Sequence, residues 1–136
     1  MNETWKKWEP VKGLAKKYYI DAIQDDIGGF KVKLTDRDNE DNKLTIIFLE
    51  SVWSYRSVEE GLRALTMEKL AQKYGANFYT EWTFFKIENS RYLNWIYEES
   101  YDVARDSGLM HFCLVGMDDI LDIIASCDPQ VFTDNE

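Results

Sequence analysis

Trp82–Tyr101, WTFFKIENSRYLNWIYEESY, places seven aromatic side chains in twenty positions and changes its period midway. Trp82 and Phe84 alternate with Phe85 and Ile87 at the two-residue repeat of a strand. After Asn89 the repeat lengthens to that of a helix. A strand near 80–87 followed by a sharp corner is therefore expected, with Asn89 or Ser90 capping a helix that runs to about Ala104. Arg91, Asn94, Glu98, Asp102 and Arg105 would form its polar stripe, with Leu93, Ile96, Ser100, Val103 and Ala104 facing a core. Trp95 and Tyr101 fall on the borders of the stripe.

Upstream, apolar alternation begins at Tyr18, and Gly28-Gly29 supplies the positive-φ turn of a hairpin. Phe30, Val32 and Leu34 then alternate with Lys31 and Lys33, the pattern of a one-sided strand. Leu44, Ile46 and Phe48, with Ile47 and Leu49 between and after them, predict a strand apolar on both faces and central in its sheet. Residues 18–50 thus read as a three-stranded meander. Ser57 and Glu60 have the spacing of a capping box, which predicts a helix through Tyr74 that stops at Gly75, although Gly61 weakens its first half. Downstream, Met110–Val115 reads as a buried strand. Asp118 is expected to cap a short helix with Ile120, Ile123, Ile124 and Cys127 on one face, and Pro129 to release a last short strand.

These elements predict one α+β domain over residues 1–136, a mainly antiparallel sheet beginning with the meander and helices packed on one face. Residues 1–17 read as a lysine-rich arm whose Trp5 and Trp8 dock on the body, and 133–136 as a loose tail. A chain of 136 residues buries roughly two-thirds of its unfolded surface, enough for a real core. With 45% hydrophobic and 15% aromatic residues it lies outside the disordered regime.

The net charge of −9 is uneven: five lysines against Glu3 and Glu9 give residues 1–17 a net +3, leaving −12 on the rest. Such a body repels a phosphate backbone and attracts a basic protein, so nucleic acid is an unsuitable partner. Cys113 and Cys127 form no CxxC motif, and no apolar run approaches the ~18 residues of a membrane span. A reducing cytoplasm, no membrane and no cleaved leader are expected.

Motifs that suggest chemistry fail on spacing. Asp36, Asp38, Glu40 and Asp41 resemble a calcium loop, but with Asp36 as first ligand the turn-glycine position holds Asp41 and the bidentate-glutamate position holds Ile47. His111 and Cys113 stand two apart on a strand, roughly 6.5–7 Å along one face, too far for direct proton transfer. Glu98, Glu99 and Asp102 lack a histidine companion for a transition metal. Gly28-Gly29 lacks the context of a phosphate loop. No catalytic residue, metal or cofactor is expected. The acidic helix face, bordered by Trp95 and Tyr101, suits a partner instead, since aromatic anchors dominate binding energy.

Three blocks, SYRSVEEG at 54–61, WTFFKIENSRYLNWIYEESY and MHFCLVGMDDILDIIASCDPQV, give most of the chain from about Trp5 a likeness to a known family. The chain resembles small Bacillus immunity proteins, the antitoxins encoded beside LXG-type polymorphic toxins. Its most specific part is the corner at Lys86, Glu88 and Asn89 with Tyr92–Trp95, followed by Glu98-Glu99-Ser100-Tyr101. The segment between Arg63 and Tyr79 is longer than the family pattern. The resemblance implies a non-catalytic cytoplasmic protein that binds its cognate toxin domain, often a nuclease, and blocks it by stoichiometric occlusion. It carries over no active-site motif. The expected contacts with a basic toxin are Trp95, Glu98, Tyr101 and Asp102, with Asp36, Asp38, Glu40 and Asp41 as a second acidic patch. A general adaptor or chaperone-like module is the competing reading, and the aromatic helix border would serve a homodimer equally well.

Overall fold

The computed structural model describes residues 3–133. In chain order the elements are β1 (Thr4–Lys7), β2 (Tyr18–Asp26), β3 (Gly29–Asp36), β4 (Asn39–Phe48), β5 (Val52–Glu59), α1 (Ala64–Tyr74), β6 (Phe84–Glu88), α2 (Arg91–Glu99), β7 (Met110–Val115), β8 (Asp119–Ala125) and β9 (Gln130–Thr133). Short 3₁₀ turns at Glu60–Arg63 and Val103–Ser107 precede α1 and follow α2. The fold is α+β, and every strand pair is antiparallel.

The strands divide into two sheets, ordered β1-β6-β7-β8-β5 and β2-β3-β4-β9. The predicted meander is β2-β3-β4, and Gly29, at φ +112, makes its first turn. A Cβ on Gly29 would stand 3.0 Å from the carbonyl oxygens of Phe48 and Leu49, so the turn requires glycine twice over. Phe30, Val32, Leu34, Leu44, Ile46 and Phe48 point inward from this sheet and meet Phe84, Phe112, Leu114, Leu121 and Ile123 of the other. The opposite face of the five-stranded sheet carries the helices. Met67 and Leu70 of α1 cover Phe85, Ile87, Cys113, Val115 and Ile120, while Tyr92 of α2 packs with Ile124 and Leu109. Three layers result, with β7 and β8 buried on both faces at the centre.

Several local expectations are corrected. Asp119–Ala125 is a strand, not a helix, because both its odd and even positions are apolar and it is sandwiched between layers: Ile120 and Ile124 face the helices while Leu121 and Ile123 face the other sheet. Ser57 caps nothing. It lies in β5 opposite Leu121, and the helical turns begin only at Glu60. Gly75 does stop α1, at φ +98 with its N–H on the Ala71 carbonyl. β4 is internal to its sheet but buried on one face only: Ile47 is half-buried and Leu49, past its end, is exposed.

The N-terminal segment contributes an edge strand, β1, alongside β6. Its indoles dock as expected: Trp5 is buried against Phe85, and Trp8 packs on Phe84 and Phe112. Thr133, assigned to the tail, pairs with Leu44 in β9, and residues 134–136 lie outside the described residues. No helix among the described residues is long and apolar enough to cross a membrane.

Lys17, the last lysine of the N-terminal segment, is buried. It is 5% exposed, and its ammonium donates to the carbonyls of Tyr79, Trp82 and Val115, the last at 2.6 Å. Burial lowers its pKa to about 8, so the side chain remains a cation at neutral pH. It ties the approach to β2 to the start of β6 and the end of β7. Lys17→Met should destabilise the fold by about 2–3 kcal/mol, since buried carbonyls lose charged donors. A urea midpoint at pH 7 equal to that of the parent would show that the ammonium does not fasten these segments.

Candidate functional site

Ser90 starts α2 from an extended conformation, and its Oγ accepts the Leu93 N–H at 2.9 Å. The preceding Asn89, at φ +55, makes the expected corner. The helix ends at Glu99, about five residues short of the prediction: the Ser100 N–H bonds the Ile96 carbonyl, and Tyr101 and Asp102 then adopt φ +50 and +64. Two successive non-glycine residues in the left-handed region are costly and occur where surrounding contacts over-determine them. The turn breaks the predicted wheel, so Val103, expected in the core, is 82% exposed; separately, Tyr92 in the first turn of the helix, absent from the predicted apolar face, is buried with Leu109 and Ile124.

The four contacts predicted on this element are all at the surface. Trp95 is 52% and Tyr101 94% exposed, and Glu98 and Asp102 are exposed with them. Asp102 is paired with Arg105 at 2.9 Å, which reduces its share of the local field. The second predicted patch is the tip of the β3–β4 hairpin, in the other sheet and so two layers from α2. There Asp36 accepts from the Asp38 N–H and from Asn42, and Asn39 accepts from the Asp41 N–H. Arg37 bridges to Asp38 at 3.2 Å, and Glu40 and Asp41 are exposed. The structure therefore does not bring the two patches together.

A larger concentration of carboxylates was not anticipated. Antiparallel pairing of β5 with β8 sets Glu59 directly opposite Asp119, and the Glu60 N–H bonds the Asp118 carbonyl. With Glu68 from α1 these residues line a cleft of about 780 Å³. Like charges opposite one another on a ladder are destabilising. The doublets at 59–60 and 118–119 were visible in the sequence, but their juxtaposition required β8 to be a strand.

Beneath the helices lies a buried polar chain. His111 Nε2 stands 2.7 Å from Asp122 Oδ1, and His111 Nδ1 stands 2.6 Å from Ser90 Oγ. Arg56 Nε and Arg63 Nη1 both donate to Asp122 Oδ2, at 2.7 and 2.8 Å. One assignment satisfies every group: Leu93 N–H donates to Ser90 Oγ, Ser90 O–H to Nδ1, and Nε2–H to Asp122. Burial would raise the Asp122 pKa, but the hydrogen bond from His111 and the charges of Arg56 and Arg63 hold the carboxyl well below the usual range. Ser90, His111 and Asp122 are each 3% exposed or less, and Ser90 Oγ is occupied as a helix cap, so the serine presents no nucleophile to solvent.

The spacing argument against a His111–Cys113 dyad agrees with this geometry. His111 bonds Ser90 and Asp122, while Cys113 lies opposite Asp122 in the register and burial pushes its thiol well up. The signal that could have found the chain is a lone His in the apolar strand MHFCLV and an Asp, Asp122, in the apolar interior of DILDIIA. No protein-family model, curated protein or solved structure matches the chain.

Proposed function

We propose that the chain is a non-catalytic cytoplasmic immunity protein that occludes a basic toxin domain, most readily a nuclease, through its acidic surface. The observation that carries this reading is the outer face of α2 and its following turn, where Trp95 and Tyr101 stand in solvent among Glu98, Glu99 and Asp102. Large aromatics at an exposed site cost solubility unless a partner covers them, and in complexes they act as anchors. The surrounding carboxylates supply the steering potential for a cationic partner. The Glu59–Asp119 cleft adds to the same field and is the second place a basic side chain would settle.

The test is co-expression with the C-terminal domain of a candidate LXG-type toxin. Rescue of growth and a co-purifying one-to-one complex are expected. A toxin domain shown to be active that still kills in the presence of the chain would end the immunity reading. Within the complex, Glu98→Lys with Asp102→Lys should slow association by about tenfold at low ionic strength and much less at high salt. An association rate unchanged at low salt would remove the α2 face from the interface, and a salt-insensitive complex with a neutral partner would favour an adaptor.

A further inference from the structure

Between β5 and the N-terminal ends of the two helices lies a cleft of about 740 Å³, in the size range of small-molecule sites. Ser54, Arg56, Arg63, Arg91, Tyr92 and Trp95 form the walls that matter here. A bulge between Val52 and Ser54 shifts the register of β5 so that Arg56 lies opposite Asp122. Arg63 reaches the same carboxylate oxygen, so two guanidiniums converge on one fully buried atom and are held in place from below.

Each guanidinium offers five N–H donors in a planar fork. Asp122 takes Arg56 Nε and Arg63 Nη1, and Thr66 takes Arg63 Nε at 3.3 Å. Among the described residues no hydrogen bond uses Arg56 Nη1 or Nη2, Arg63 Nη2, or any side-chain donor of Arg91. Arg91 occupies the first position of α2, where a cation opposes the helix dipole. Glu3 partly offsets this, accepting the Arg91 backbone N–H at 2.8 Å. Two carboxylates, Glu3 and Asp122, thus answer three guanidiniums, leaving a positive cleft on a chain of net charge −9. Arg56 lies over the Tyr92 ring at 4.4 Å, and Tyr92 stacks with the half-exposed indole of Trp95 at 6.2 Å. The aromatic wall therefore adjoins the cationic floor.

We propose that this cleft binds an oxyanion, a carboxylate or phosphate, carried on a flat apolar group that lies against Trp95. Guanidinium forks match the oxygens of such an anion, and the acidic body around the cleft disfavours extended polyanions but admits a small one. The proposal goes beyond the partner reading and shares only Trp95 with it; its test uses the free protein, so either can fail alone.

Phenyl phosphate is titrated into the protein at constant ionic strength while the arginine Nε–H and Trp95 indole N–H resonances are followed by NMR. Saturable shifts of Arg56, Arg63 and Trp95 in the millimolar range are expected. Arg91→Gln should weaken binding by about tenfold, the scale of one charge-assisted hydrogen bond. Trp95→Ala should remove the preference for phenyl phosphate over inorganic phosphate. Both substitutions alter exposed side chains, so folding is retained and the titration remains interpretable. Shifts that grow linearly without saturation, or an Arg91→Gln protein that titrates like the parent, would overturn the proposal.

Discussion

Asp122→Ala should lower folding stability by about 3–5 kcal/mol at neutral pH, the range for removing one member of a buried ionic network. Asp122 is fully buried, and its two oxygens accept from His111, Arg56 and Arg63. Arg56 can turn its partly exposed guanidinium to water, whereas the His111 side chain, 1% exposed, and that of Arg63, 15% exposed, are left with donors facing a void. The cost therefore falls on the last two. The same carboxylate sets an acid dependence. Its pKa is depressed in the folded state, so its stabilisation is fully present above the unfolded value of 3.8 and is lost as pH falls through that value toward the lower folded one. Urea unfolding from pH 7 down to pH 2.5 should show this decline in the parent and a shallower one in Asp122→Asn. A loss below about 1 kcal/mol in Asp122→Ala, within the range of ordinary substitutions, would mean that the network does not hold the helices to the sheet.

Phe112→Ala should cost a similar ~3–5 kcal/mol through a different mechanism, the cavity left by a large core side chain. Phe112 is fully buried between the sheets, with its ring centroid 5.4 Å from that of Phe48 and 5.0 Å from that of Trp8. It joins both sheets and the docked N-terminal segment, so the surrounding rings cannot all collapse toward the vacancy. Phe132→Ala, at a half-exposed position on β9, is the control and should change stability by under about 1 kcal/mol. Equal effects for the two phenylalanines in urea unfolding would contradict the packing of one sheet on the other.

Patterns local in the chain were legible in advance. Phe30, Val32 and Leu34 alternate with lysines because one face of β3 meets water, and Gly29 marks the turn because no other residue fits there. Ser90 caps α2 because a short hydroxyl side chain following the left-handed Asn89 can reach the Leu93 N–H. DILDIIA was misread because a strand buried on both faces loses its alternation, and short apolar runs then fit either period. The helix after Arg91 ends before Ala104 because the left-handed turn at Tyr101–Asp102, closed by the Asp102 N–H on the Tyr97 carbonyl, stops it without the glycine that would mark such a stop in the sequence.

The candidate site divides along the same line. Exposure of Trp95 and Glu98 follows from their spacing on the rim of the amphipathic stripe of α2, whereas Tyr101 and Asp102 are exposed by the left-handed turn past its end, where the helical wheel no longer applies. The remoteness of the Asp36–Asp41 hairpin, the carboxylate cleft at Glu59 and Asp119, and the convergence of Arg56 and Arg63 on Asp122 depend on strand order and register. Composition and periodicity specify which residues seek water and which avoid it, residue by residue along the chain. Which distant charges become neighbours is set by how nine strands divide into two sheets among the described residues, because pairing partners are chosen by the global packing of apolar faces.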